Sequence, residues 1–267
     1  MKIIESELNT VKDLMSEIFE DSILDGELKS FVKNGSKLIR SSLVILFFKS
    51  QNKELNDIFY KVLSAGEFIH NASLLHDDVL DDAEIRRNST TIAKKFSSKI
   101  SILAGDYLLS SAIESLLSLE NFEILDLFRI CTQKMSEAEI KQFFLRGKIP
   151  TKDEYIDICR KKTAELFSTV LETSAIVLDS DRVLAKKFGE IFGICFQIKN
   201  DMNKDSATID KNNGIYTAID IFGIEKTNVL LDNYKEELIN IVQDFDDNIY
   251  KERLKDLIKR LWLIKKK

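Results

Sequence analysis

The chain has 267 residues, 44% hydrophobic and 31% charged, with 9 Gly and one Pro, Pro150. Such sparse punctuation excludes a β-sandwich or barrel, which needs turns about every 8–12 residues. The apolar share excludes a disordered chain. A net charge of −5 gives no electrostatic case for binding nucleic acid.

Apolar residues recur at helical spacing nearly throughout. Leu43, Leu46 and Phe47 mark a first helix, and Ile58, Val62, Ala65, Ile69 and Leu74 a longer one. Tyr155, Ile158, Leu166, Val170 and Val177 mark a third, and Phe188, Ile191, Phe192, Cys195 and Ile198 a fourth. Breaks are expected at Asp25-Gly26, Asn34-Gly35, Asn88-Ser89, Gly147 to Pro150, Asp179 to Asp181, Asn212 to Gly214 and Phe222-Gly223. There is no sustained strand alternation and no linker, so residues 1–267 read as one all-α domain of roughly ten helices. The longest apolar run, Leu43 to Phe48, falls well short of the ~18 residues that span a bilayer, so no transmembrane segment is expected. The start, MKIIESELNT, lacks the apolar stretch of a signal peptide. Cys131, Cys159 and Cys195 are far apart and in no metal spacing. They read as reduced thiols of a cytoplasmic protein.

Two acidic segments carry the chemistry. His70-Asn71-Ala72-Ser73-Leu74-Leu75-His76-Asp77-Asp78-Val79-Leu80-Asp81-Asp82-Ala83-Glu84-Ile85-Arg86-Arg87 holds both histidines. On a helix Asp77 and Asp81 are i,i+4 neighbours, as are Asp78 and Asp82. Crowded carboxylates need a cation among them. Mg²⁺ suits, being commonly held by one or two carboxylates plus substrate phosphates. Arg86-Arg87 suits phosphate oxygens. A solvated acidic helix end would account for four acids alone, but not for the interleaved Leu74, Leu75, Val79 and Leu80. Further on, Gln197, Asp201 and Asp205 fall at i, i+4, i+8 as one polar stripe. Alone it could be a solvated face; paired with the first segment it could form the opposite wall of a metal site. Lys37 and Arg40 at i,i+3, and Lys162-Thr163, complete the cationic set, although each alone reads as surface charge.

In order and spacing these segments resemble the trans-polyprenyl diphosphate synthases over residues 15 to 235. Asp77-Asp78-Val79-Leu80-Asp81 fits the family's DDxxD, and Arg86-Arg87 its following arginine pair. Gly35 to Arg40 is similar to the GGKR-containing motif, Lys162-Thr163 to the KT pair, and Gln197 to Asp205 to the second aspartate-rich motif. The resemblance implies an isoprenoid-synthase bundle around a central cavity. It implies Mg²⁺, three ions with substrate bound, clamping an allylic diphosphate between two acidic helices. The diphosphate then leaves, isopentenyl diphosphate attacks the allylic cation, and a proton is lost. By matched position, Asp77, Asp78 and Asp81 would be metal ligands, Asp201 remains of the second motif, and Asp205 could substitute from one position beyond its usual end; Asp77, Asp78 and Lys162 would be the catalytic set. Arg86, Lys162, Thr163 and Gln197 would hold the allylic diphosphate; Lys37, Arg40, His70 and Arg87 would hold isopentenyl diphosphate. A homodimer is implied as well.

The chain departs from the pattern at several places. Asn200 and Lys204 replace acids of the second motif, and Ser36, Leu38 and Ser41 replace Gly, Arg and Pro of the first basic one. Asp210 to Ala218 resembles a late loop whose lysine is missing here. A non-catalytic subunit of a heteromeric synthase is therefore one alternative reading. A class I terpene cyclase is another, opposed by the second set of cations. A His-Asp phosphohydrolase has too few ligands. Ala72 and Ser73, five and four residues before Asp77, lie where the family places bulky aromatics in short-chain enzymes. Their small size implies a product of C20 or longer, with Phe47, Phe48 or Leu109 as candidate stops.

Overall fold

The computed structural model describes residues 2–17, 25–35, 38–86, 89–203, 210–211 and 213–260. The described residues are almost entirely helical, as expected, and the chain divides into two compact units.

The first unit comprises Met1–Ile45 and Leu55–Leu125. Its helices include α1 (Glu5–Glu17), α2 (Asp25–Gly35), the start of α3 (Ile39–Lys49), α4 (Asp57–Leu80), the short α5 (Ile92–Lys95) and α6 (Ser98–Leu117). α4 begins where the Asn56 side chain accepts from the Phe59 N–H at 2.8 Å, a side-chain cap on an otherwise orphan donor. It buries Phe59, Val62, Phe68 and Leu75 against α1 and α6. It ends at Leu80 because Asp82 adopts a left-handed backbone (φ +47°), tolerable for aspartate. Asp82 thus leaves the helix, and only Asp77 and Asp81 keep a helical i,i+4 relation. Beyond it, β1 (Ile85–Arg86) and β2 (Ser89–Thr90) pair antiparallel, Arg86 opposite Ser89. Strands of two residues are too short to leave an alternation in the sequence.

α6 is long and apolar enough to cross a membrane by length and composition, a feature the apolar-run criterion does not detect. Here it packs on α4. Ser101 Oγ donates to the Leu75 carbonyl at 2.9 Å, and Ala104, Gly105 and Leu108 are buried.

The second unit comprises Leu46–Glu54 and Asp126–Lys267. The boundary between the units falls within α3 and near the start of α7 (Phe122–Phe144). The helix expected around Tyr155 to Val177 is continuous but interrupted in character. α8 (Lys152–Cys159) passes through a π-turn, Arg160–Ala164, into α9 (Glu165–Val177). α10 (Arg182–Asp201), capped by Asp181, packs along it. α11 (Ala218–Phe222), α12 (Ile224–Gln243) and α13 (Ile249–Arg260) follow. Phe47, Phe167, Phe188 and Phe192 are buried in an aromatic core, with Phe47 and Phe188 centroids 4.8 Å apart.

Candidate active site

In the first unit, helical geometry sets His70, Ser73, Leu74, Asp77 and Asp81 along one stripe of α4. All five are half-exposed on a helix that is otherwise mostly buried. Two expected metal ligands, Asp77 and Asp81, thus share a face with His70. Asp78 lies on the next row and is fully buried. Arg86, returned by the hairpin, forms a charge-assisted hydrogen bond from Nε to Asp78 Oδ1. The expected Asp78 and Arg86 therefore come together as an ion pair. His76 packs over Gly105, where an added Cβ would sit 2.3 Å from His76 Nε2, and its ring lies 3.3 Å from Asp106. A glycine on α6 lets the ring between the two helices. Arg40, in the first turn of α3, is half-buried. Lys37 and Arg87 lie outside the described residues.

In the second unit, a relay joins three of the expected residues. Thr163 Oγ1 donates to Gln197 Oε1 at 2.8 Å, and Gln197 Nε2 donates to Asp201 Oδ1 at 2.8 Å. Asp201 Oδ2 accepts from the Tyr155 hydroxyl at 2.6 Å and from the Ala218 N–H at 3.1 Å. Burial pushes the Asp201 carboxyl up, outweighing the hydrogen bonds from Tyr155, Gln197 and Ala218 that favour its charge. Burial and the neighbouring Asp201 likewise push the Tyr155 phenol well above its ordinary value. Lys162 Nζ is 2.5 Å from Glu139 and donates to Gln142 Oε1 at 2.7 Å. Gln142, Tyr155, Lys162, Thr163, Gln197 and Asp201 line a cavity of about 60 Å³ that also touches Asp210 and Tyr216. Asp205 lies outside the described residues; of the expected stripe, Gln197 and Asp201 lie on α10, which ends at Asp201.

Sequence reasoning missed Glu139, Gln142 and the polar role of Tyr155. Gln142 and Glu139 lie one turn apart on α7, a spacing with no special signature, and Tyr155 reads as one apolar residue of a helix. The π-turn was also missed. It inserts one extra residue per turn where Lys162 and Thr163 sit, and such turns are frequent at functional sites.

Among the described residues no three His, Cys, Asp or Glu side chains form a ready-made metal cage. The donor set still fits Mg²⁺. That ion retains waters and is completed by substrate phosphates, so a half-exposed carboxylate pair such as Asp77 and Asp81 is a sufficient protein contribution.

The described residues form an almost wholly helical protein whose acidic and cationic side chains gather on α4 and around the Asp201 relay. A family model for polyprenyl synthetase matches residues 21–256, and the chain belongs to that family. It is thereby classed with the prenyltransferases. The octaprenyl diphosphate synthase of Haemophilus influenzae is 30% identical over 201 residues, 73% of this chain and 61% of that protein. Across curated relatives of comparable similarity, the matched stretch spans 37 to 83% of their own length. A decaprenyl diphosphate synthase from Rhodobacter capsulatus superimposes with a TM-score of 0.88 at 20% identity, covering 97% of this chain and 96% of that one. A polyprenyl synthase from Caulobacter crescentus, complexed with calcium and isoprenyl diphosphate, gives 0.81 at 21% identity, covering 97% and 95%.

Proposed function

We propose that this chain condenses isopentenyl diphosphate with an allylic prenyl diphosphate, using Mg²⁺, and that its product is C20 or longer. The carrying observation is the half-exposed Asp77–Asp81 face of α4, ending beside the Asp78–Arg86 pair. The calcium and isoprenyl diphosphate of the Caulobacter protein support a divalent cation and a diphosphate ligand. The family match runs through both units, which supports reading the chain as one domain.

When bound, the cation neutralises the diphosphate leaving group. The chain supplies the rest. Asp77 and Asp81 offer oxygen ligands, Asp78 is a third once Arg86 exchanges it for substrate phosphate, and Asp205 is the acid offered by the second motif. Arg86, Lys162, Thr163 and Gln197 hold the allylic diphosphate. Lys37, Arg40, His70 and Arg87 hold isopentenyl diphosphate. The allylic C–O bond breaks, and its electron pair leaves with the diphosphate. The double bond of isopentenyl diphosphate then forms the new C–C bond, and a proton passes to the departed diphosphate, restoring an alkene. Fixed cations facing the departing charge are the main protein contribution.

The same reading includes a homodimer in the cytoplasm. Leu103, Tyr107, Ile113 and Leu117 give α6 an exposed apolar stripe suited to a second copy. Cys131, Cys159 and Cys195 are buried free thiols, as a reducing compartment allows.

The test is incubation with isopentenyl diphosphate, allylic primers of several lengths and Mg²⁺, with products sized by chromatography. Asp77→Ala should lose at least about a hundredfold in turnover while melting as the parent does. Parental rates in that variant would refute the metal role. No condensation with any primer would point instead to a non-catalytic subunit, the reading that Asn200 in the second motif favours.

A further inference from the structure

We propose that Asp201 is not a metal ligand in this chain but, with Tyr155, a positioning residue that fixes the amide of Gln197 and through it the hydroxyl of Thr163. This rests on the reading above, in which Gln197 and Thr163 hold the allylic diphosphate.

The geometry starts from Asp201 itself. Its residue is 4% exposed, and both carboxylate oxygens accept hydrogen bonds from within the fold. Oδ2 takes two donors from different elements, the Tyr155 hydroxyl of α8 and the Ala218 N–H that opens α11. Tyr155 is clamped in turn, its ring edge-on to Phe222 with centroids 5.6 Å apart. Oδ2 could ligate a metal only by giving up one of two buried donors, which would be left without an acceptor, and Oδ1 already holds the Gln197 amide. The residue at the motif's usual first acidic position, Asn200, is exposed and carries an amide. The carboxylate on this end of α10 thus faces inward and ties α8, α10 and α11 together.

The relay has a direction, and Asp201 sets it. An ionised carboxylate only accepts, so Gln197 must turn its NH₂ toward Asp201 and its carbonyl toward Thr163. Thr163 therefore spends its proton on Gln197, as its 2.8 Å donation records. An asparagine at position 201 would reverse this order. Its carbonyl would serve Tyr155 and Ala218, and its NH₂ would face Gln197. Gln197 would then flip, and Thr163 would become an acceptor. The lost direction would change what the anion meets, with no change in the number of carboxylates lining the α4 face.

Metal binding and diphosphate binding should respond separately to changes at Asp201 and Tyr155. Two affinities are measured on the full chain: Mn²⁺, by electron paramagnetic resonance in saturating farnesyl thiolodiphosphate, and farnesyl thiolodiphosphate itself, by calorimetry. This unreactive allylic probe makes both independent of turnover. Asp201→Asn should leave Mn²⁺ affinity within about twofold of the parent and weaken the thiolodiphosphate about tenfold. Tyr155→Phe, which removes one donor and touches neither ligand, should weaken the thiolodiphosphate about threefold with Mn²⁺ unchanged. These factors are those of one or two misdirected hydrogen bonds. If Asp201→Asn does not fold, Tyr155→Phe decides alone. A tenfold loss of Mn²⁺ affinity in either variant overturns the proposal, and so does thiolodiphosphate binding that neither variant alters. A parent that binds no thiolodiphosphate sinks the functional reading and this inference with it, whereas a wrong variant pattern sinks the inference only.

Discussion

Gly193 sets how closely α10 can approach the π-turn, and replacing it by alanine tests whether that approach positions the relay. A Cβ added at Gly193 would lie 2.4 Å from Ala164 Cα and 2.6 Å from Ala164 Cβ. Carbon pairs ordinarily rest at about 3.5–4.0 Å, so the two backbones must separate by roughly 1 Å. Ala164 adjoins Thr163, and Gln197 lies one helical turn after Gly193 on the same face. The Thr163–Gln197 hydrogen bond, now 2.8 Å, would stretch beyond reach. Overpacking costs about 1–3 kcal/mol and the lost hydrogen bond about 1, offset by up to about 1 from the better helix propensity of alanine. For a chain of this size the net loss of about 1–3 kcal/mol lowers Tm by roughly 2–10 °C. Farnesyl thiolodiphosphate should also bind less tightly. Gly26→Ala is the control: nothing lies within 4 Å of its added Cβ, and α2 should gain slightly. Melting by circular dichroism and calorimetric titration read both effects. A Gly193→Ala protein that melts and binds like the parent would refute the claim that this close approach orders the site.

How much of this was legible in the sequence differs between the two units. The first acidic segment was readable because acids, arginines and interleaved leucines lie within eighteen consecutive residues, His70 to Arg87. Helical periodicity placed Asp77 and Asp81 on one face, where the structure has them. It could not foresee that Asp82 leaves the helix through a left-handed backbone, nor that a two-residue hairpin returns Arg86 to Asp78. Those follow from a local turn and from burial, neither of which has a periodic signature. In the second unit, Gln197 and Asp201 were legible as i,i+4 partners. What surrounds Asp201 was not, because Tyr155 and Ala218 lie 46 and 17 residues away in sequence. Gly189 and Gly193 are spaced as on one helix face, which hints at a close helix contact, but their partner is fixed only by the fold. The π-turn has no reliable signature in composition.

Three further outcomes follow. Glu172 is buried; burial raises its carboxyl, but hydrogen bonds and charge from Lys186 and Arg182 outweigh this and hold it below its ordinary value. A depressed carboxyl stabilises above the unfolded pKa and loses that contribution as pH falls through the folded one. The stability gap between parent and Glu172→Gln, about 1–2 kcal/mol because both cations are partly exposed, should therefore be full at pH 7 and shrink as pH falls below the ordinary carboxylate range in urea titrations. His70→Ala should mainly raise KM for isopentenyl diphosphate and Lys162→Ala KM for the allylic substrate, each about tenfold or more; equal effects on both substrates would dissolve the two-site assignment. Product length, finally, is best probed at Ser73. Ala72, the other small residue before Asp77, is fully buried, so Ala72→Phe would overpack the core of the first unit before it met any product. Ser73 is half-exposed on the stripe that carries Asp77, and its hydroxyl only donates to the His70 carbonyl of its own helix at 2.8 Å. Helical side chains lean toward the N-terminus, so a phenylalanine there covers the surface one turn before Asp77, where the proposed function runs the growing tail. Ser73→Phe should keep condensation and shift products toward C15, read by chromatography of the dephosphorylated prenols. Products of unaltered length would mean that the tail does not run along this face of α4.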